Sequence, residues 1–111
     1  MKYKFCLAKD FYTQTTIYGH CVGHEYFVLG IEGDLLIKAG YAWNGATGSP
    51  WTPVKMIEAT MVHDCLYQMR KLGYPINRKK ADDDFYARMK KGQCRLAFLA
   101  YLLVRLFGGR F

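Results

Sequence analysis

The sequence lacks several features that would place a protein in a broad class at once. It contains only four cysteines in 111 residues, and no two of them form a Cys-x-x-Cys pair, so neither a zinc ribbon nor a thioredoxin-type site is predicted. We expect these cysteines to be buried free thiols. The longest apolar run, 96–104, ends at Arg105 and is far shorter than the roughly 20 residues of a membrane span. No apolar segment follows the first basic residues, so we expect no secretion signal.

Acidic residues are also scarce. The chain has 9 Asp and Glu against 16 Lys and Arg, which gives a formal net charge of +7. The basic side chains are spread along the chain, and such a charge favours anionic surfaces, whether phospholipid headgroups, nucleic acid or an acidic protein. Basic and aromatic residues do not alternate as they do in single-strand binding proteins, so we do not expect nucleic acid to be the partner.

The first 43 residues predict a small antiparallel β-sheet. β-Branched and aromatic residues occupy 13–18, 26–29 and 35–37, and glycines separate these runs. The turn 32–34 is centred on Gly33, which tolerates a positive φ. The composition then changes to Gly, Asn, Thr, Ser and Pro, which predicts a loop over 44–52.

Three helices are predicted after this loop. Thr52 is the predicted N-cap of a helix over 53–72, and Asn77 that of a helix over 78–91. The third helix, 93–107, is apolar on nearly every face, which indicates burial between the other elements or against a partner, and we expect burial inside the molecule. The prediction is therefore an α+β fold in a single domain, residues 1–111, in which 1–43 are mostly β, 44–52 are a loop and 53–109 are helical.

The most distinctive chemical feature is a His-Asp pair on the first helix. His63 and Tyr67 are four residues apart and share one helix face, whereas Asp64 projects about 100° around the axis. A neutral imidazole can take a proton from water, and a carboxylate suits a hard cation such as calcium. On the second helix we expect Asp82 to accept the other imidazole N–H, because it lies one turn before Phe85.

Four ordered sequence blocks carry a family resemblance. They are Gly-Tyr-Ala-Trp-Asn-Gly-Ala-Thr at 40–47, Val-His-Asp-Cys-Leu-Tyr at 62–67, Arg-Lys-Lys-Ala-Asp at 78–82 followed by Phe85, and Leu-Val-Arg-Leu-Phe-Gly at 103–108. This pattern resembles domain of unknown function 1353, a family of tailed-bacteriophage and prophage proteins, over about residues 35–109. The resemblance implies a location in a virion or in the host cytoplasm. Most members have Asp-Gly-Ala-Ser in the loop, where this chain has Asn-Gly-Ala-Thr at 44–47.

The His-Asp-x-x-Tyr motif together with the second-helix aspartate is similar, more distantly, to the paired-helix site of phospholipase A2 enzymes. The resemblance implies a calcium-dependent lipid hydrolase that acts on anionic phospholipid. It implies two groups of residues, a catalytic group of His63, Tyr67 and Asp82, and a calcium-binding group of Asp64, Asn44 and Gly45. The flanking disulfides and the glycine-loop pattern of the secreted members are absent from this sequence.

Two other interpretations remain open. The same residues could form a satisfied buried network that locks two helices together, in a non-enzymatic tail, baseplate or neck component of a virion. Such a component would bind other virion proteins through Trp43, Trp51 and the last helix. A metal-dependent phosphohydrolase, or a zinc site at His20, Cys21 and His24, is a weaker alternative, because each lacks a required ligand.

Overall fold

The computed structural model describes residues 3, 5–44 and 56–108. Its elements, in chain order, are β1 (Phe5–Cys6), β2 (Phe11–Gln14), β3 (Val22–Gly23), β4 (Phe27–Leu29), β5 (Asp34–Ile37), β6 (Ala42–Trp43), α1 (Ile57–Lys71), α2 (Arg78–Lys91) and α3 (Ala97–Phe107). Antiparallel strands are followed by three helices, which confirms the predicted α+β class.

The strands form two antiparallel sheets. The larger has the order β2-β5-β4-β3, and the smaller pairs β1 with β6. β2, which corresponds to the predicted run 13–18, ends at Gln14 instead of continuing to residue 18. The reason is local, because the Thr15 hydroxyl donates to Gly33 O at 2.9 Å and accepts from Ile17 N at 3.0 Å, and such bonds compete with strand pairing.

The larger sheet buries one face against α1. Phe27, Leu29 and Ile37 alternate with exposed or half-buried neighbours and are completely buried, as the period-2 pattern of a half-buried strand requires. They share one core cluster with Val62 and Leu66 of α1. The sheet therefore fixes the orientation of α1, the helix that carries the His-Asp pair.

The helix boundaries follow the predictions in part. The Asn77 side chain accepts from Lys80 N at 3.0 Å, and α2 ends at Lys91 with Gly92 as its C-cap, so both predicted signals are confirmed. α1 begins at Ile57, later than predicted, and the expected N-cap Thr52 lies outside the described residues. α3 begins at Ala97 and not at 93, because Gln93 has a left-handed φ of 59° that a helix cannot continue through.

The predicted burial of α3 is wrong. Within α3, only Ala97 is buried, and the large apolar side chains of this segment face solvent at 39–69 % exposure. Tyr101 and Arg105 instead turn towards the interior and bond Asp83 and Asp82. The helix orientation is thus set by two polar contacts together with small inward residues.

The cysteines also differ from expectation. All four are free, but Cys6 and Cys21 are exposed and Cys94 is half-buried, so only Cys65 is a buried thiol. Cys6 is the exposed residue of β1, and Cys21 is exposed directly before β3. Within the described ranges, no helix has the length and apolarity needed to cross a membrane.

Candidate active site

The site is centred on the carboxylate of Asp82 in α2. His63 and Tyr67, one turn apart on α1, both reach it: His63 Nε2 lies 2.7 Å from Asp82 Oδ1, and the Tyr67 hydroxyl donates to the same oxygen at 2.6 Å. Asp82 is 0 % exposed. The structure therefore brings the three predicted catalytic residues together, and it selects Asp82 over Asp83, as the position of Phe85 predicted.

Two arginines approach the second oxygen of the same carboxylate. Arg105 of α3 donates from Nη1 to Asp82 Oδ2 at 2.7 Å, and Arg78 Nη1 lies 3.8 Å from that oxygen. Arg78 also donates to the carbonyls of Val104 and Arg105 at the end of α3. Sequence reasoning missed both arginines, although Arg78 stands four residues before Asp82 and Arg105 is the lone charge inside an apolar segment.

These contacts determine the charge state of Asp82. Burial alone would raise the pKa of Asp82, but the hydrogen bonds from His63, Tyr67 and Arg105 outweigh it and hold the pKa below its usual value. The carboxylate is therefore ionised and can only accept hydrogen bonds. It follows that His63 Nε2 donates a hydrogen bond to Asp82, and Nδ1 is the other ring nitrogen.

Aromatic packing holds the imidazole in this orientation. The His63 ring lies 4.2 Å from the Tyr67 ring and 4.5 Å from the Phe85 ring, measured between centroids. Burial, followed by the hydrogen bond to Asp82, raises the pKa of Tyr67, so its hydroxyl remains a donor. A Cβ at Gly108 would lie 2.5 Å from the Tyr67 hydroxyl, which explains why the end of α3 needs a glycine to pack here.

Asp64 lies on a different face of α1 and has a different environment. Burial raises the pKa of Asp64 to about 7, although the positive charge of Lys71 and the backbone N–H of Asn44 both act to lower it. Of the three predicted calcium-binding residues, Asp64 and Asn44 are in contact through the Asn44 backbone N–H, and Gly45 lies outside the described residues. The negative charge of Asp64 also contributes to the raised pKa of Cys65 and of Tyr41.

The donor set near Asp64 restricts how a cation could bind. Among the described residues, no three His, Cys, Asp or Glu side chains are grouped so that they could hold a metal ion. Calcium is bound by oxygen ligands, and the Asp64 carboxylate supplies such oxygens, but the contact seen from Asn44 is its backbone N–H, which donates to that carboxylate. Zinc prefers four nitrogen or sulfur ligands, which this environment does not supply.

Two further predictions fail on the described residues. His24 accepts from Tyr26 N at 3.1 Å and stacks on Phe27 at 4.2 Å, so the structure gives it a role in packing and none in the proposed zinc site. Trp43 is only 5 % exposed, and its indole N–H donates to Thr60, so it is not available for docking. Trp51, the other predicted docking residue, lies outside the described residues.

No protein-family model, curated protein or solved structure matches this chain. The likeness to the bacteriophage family and to phospholipase A2 therefore rests on the sequence blocks alone and stays a prediction.

Proposed function

We propose that this protein is a hydrolase of phospholipid ester bonds, with His63 as the general base. One observation carries the proposal, namely that an ionised and fully buried Asp82 accepts from both His63 and Tyr67. This arrangement selects a single imidazole tautomer, as an orienting carboxylate does in hydrolytic sites. The wider attribution to a bacteriophage protein rests on the sequence resemblance.

The chemistry follows from the protonation states. His63 Nδ1 takes a proton from water while the water oxygen attacks the ester carbonyl, and the imidazolium then returns the proton to the departing alkoxide. Asp82 stabilises the imidazolium but does not accept its proton, because Arg105 is hydrogen-bonded to the other carboxylate oxygen at 2.7 Å. The Tyr67 hydroxyl positions Asp82 and does not take part in proton transfer.

Asp64 and Asn44 are the residues that would hold calcium. A carboxyl group whose pKa is raised to about 7 is costly to ionise, and a bound divalent cation would offset that cost. When bound, calcium polarises a carbonyl oxygen as a Lewis acid. The net charge of +7 further favours anionic over neutral lipid substrates.

Release of fatty acid from vesicles tests the proposal. The substrate is a 1:1 mixture of phosphatidylglycerol and phosphatidylcholine, with calcium or with a chelator. We expect His63→Asn to lower the rate by about 100-fold or more, as loss of a general base does. His20→Asn is the matched control, because it removes a half-buried imidazole outside the site, and it should retain the rate of the unmodified protein.

Two outcomes would overturn the proposal. In one, His63→Asn hydrolyses the vesicle phospholipid as fast as His20→Asn does, while both variants show the cooperative thermal unfolding of a folded protein. In the other, the unmodified protein releases no fatty acid in any of these lipid and ion conditions. The second outcome would leave the satisfied His63–Asp82–Tyr67 network with the structural role expected of a non-enzymatic virion component.

A further inference from the structure

α3 turns its most apolar side towards solvent. Six large side chains form this surface, which we call the α3 face: Leu96, Phe98, Leu99, Leu102, Leu103 and Leu106, all 39–69 % exposed. The inward side is made of small or polar residues, among them Ala97 and Ala100. An ordinary surface helix has the opposite distribution, with its apolar stripe on the core, and exposed apolar patches of this kind mark interaction sites.

Basic residues flank the α3 face along the chain. After Asp84 the sequence contains six Lys or Arg and no Asp or Glu. Lys90, Lys91 and Arg95 are exposed in the segment that leads into α3, whereas Arg105, inside α3, is half-buried and paired with Asp82. An occupant that fits this surface must therefore be apolar where it meets the leucines and anionic around them.

A second copy of the chain does not meet this requirement. It would bring the same basic rim and the same net charge of +7 against the first, and like charges oppose close approach. A bilayer with anionic headgroups supplies both the apolar interior and the negative surface. With 11 residues, α3 is about 16 Å long, which suits a helix lying in the plane of the interface and not one crossing it.

We propose that the α3 face docks the protein on an anionic phospholipid bilayer, with the leucines among the upper acyl chains and the basic residues at the headgroups. The inference rests on the proposed function in one respect, namely that the bilayer to which α3 binds also supplies the phospholipid substrate. α3 is joined to the site at its C-terminal half, since Arg105 bonds Asp82 and Arg78 bonds the Val104 and Arg105 carbonyls. Docking through α3 thus holds the His63–Asp82 pair beside the membrane.

Vesicle sedimentation tests the docking without any requirement for hydrolysis. The test protein is Leu99→Glu/Leu106→Glu, and the matched control is Tyr12→Glu/Ile31→Glu, which alters comparably exposed side chains in β2 and in the turn between β4 and β5 with the same change in charge. The probe is 1:1 phosphatidylglycerol and phosphatidylcholine vesicles, compared with phosphatidylcholine alone. We expect the α3 variant to bind at least tenfold more weakly than the control, and the unmodified protein to bind less as salt rises.

Three results would overturn the inference: equal binding by the two double variants, no binding of the unmodified protein to the anionic vesicles, and a dimer in solution that the α3 substitutions dissociate. The last would assign the face to a second copy of the chain. The same sedimentation with His63→Asn separates this inference from the proposed function. Binding without fatty-acid release contradicts the hydrolase alone, whereas release by a protein that does not bind through α3 contradicts the docking alone.

Discussion

At the scale of single residues, the molecule depends most on one buried charge. Asp82 is completely buried, and an ionised carboxylate in such a position is tolerated only when donors replace its water. His63, Tyr67 and Arg105 provide these donors at 2.6–2.7 Å. Each partner comes from α1 or α3, so a single side chain of α2 connects all three helices.

Replacement of Asp82 by asparagine should therefore be costly. Asp82→Asn removes the negative charge and leaves Arg105 without its partner, and we expect the free energy of unfolding to fall by about 3 kcal/mol. Asp83→Asn is the control, because the Asp83 side chain is 46 % exposed and its bonds to Lys79 and Tyr101 should contribute less than about 1 kcal/mol. Urea unfolding followed by circular dichroism measures both, and equal midpoints would contradict this view of Asp82.

The buried carboxyl group of Asp64 leads to an expectation about how the stability of the protein depends on pH. Its folded-state pKa of about 7 is above the value near 4 of an unfolded chain, so the folded protein binds the proton more tightly. Protonation of Asp64 therefore stabilises the folded state, and this stabilisation is complete below pH 4 and is lost as the pH rises towards 7. Asp64→Asn should therefore flatten the fall in melting temperature between pH 5 and pH 7.5, measured without calcium. Parallel profiles for the variant and the unmodified protein would show that Asp64 titrates normally.

At the scale of secondary-structure elements, one arginine joins α2 to the sheet. Arg88 Nε bonds Asp84 at 2.7 Å, while its two other nitrogens donate to Thr13 Oγ1 at 2.9 Å and Gln14 O at 3.0 Å. β2 is an edge strand of the four-stranded sheet, and these bonds satisfy its last residues. Arg88 thus links the sheet to the same helix that carries Asp82.

Loss of this link should destabilise the contact between α2 and β2. We expect Arg88→Met to lower the free energy of unfolding by about 1–3 kcal/mol, because it removes hydrogen bonds from a charged donor. Arg88→Lys should not restore stability, since an ammonium group cannot reproduce the planar fork. Arg95→Met, at an exposed position, is the control. A thermal melt in which the Arg88 and Arg95 variants coincide would rule out this role.

The contrast between α2 and α3 shows what the pattern of a single element can predict. α2 begins at its predicted cap, because the Asn77 oxygen needs only Lys80 N, three residues away. The prediction that α3 is buried depends on the apolar residues around its own circumference. In the structure, however, Arg105 and Tyr101 face inward. Their partners, Asp82 and Asp83, lie some twenty residues earlier in the chain, so no periodicity within α3 could indicate its orientation.

At the scale of the whole molecule, the candidate site was predictable to the extent that it depends on helix geometry. The spacing of His63 and Tyr67 places them on one face, and the position of Phe85 points Asp82 towards them. Arg105 was not predictable in this way, because its contact with Asp82 spans 23 residues and crosses between two helices. The pKa of Asp64 likewise depends on burial by distant chain segments, including Asn44.

The sequence by itself determined the α+β class, the cap and end of α2, and the pairing of the His63 face with Asp82, because each follows from contacts within a few turns or from the period of a helix. Only the tertiary structure decided that α3 presents leucines to solvent, that two arginines offset the negative charge of Asp82, and that Asp64 is desolvated beside Asn44. The physical reason is that charge, burial and solvation depend on all the chain segments packed around a group, whereas capping and periodicity are properties of neighbouring residues.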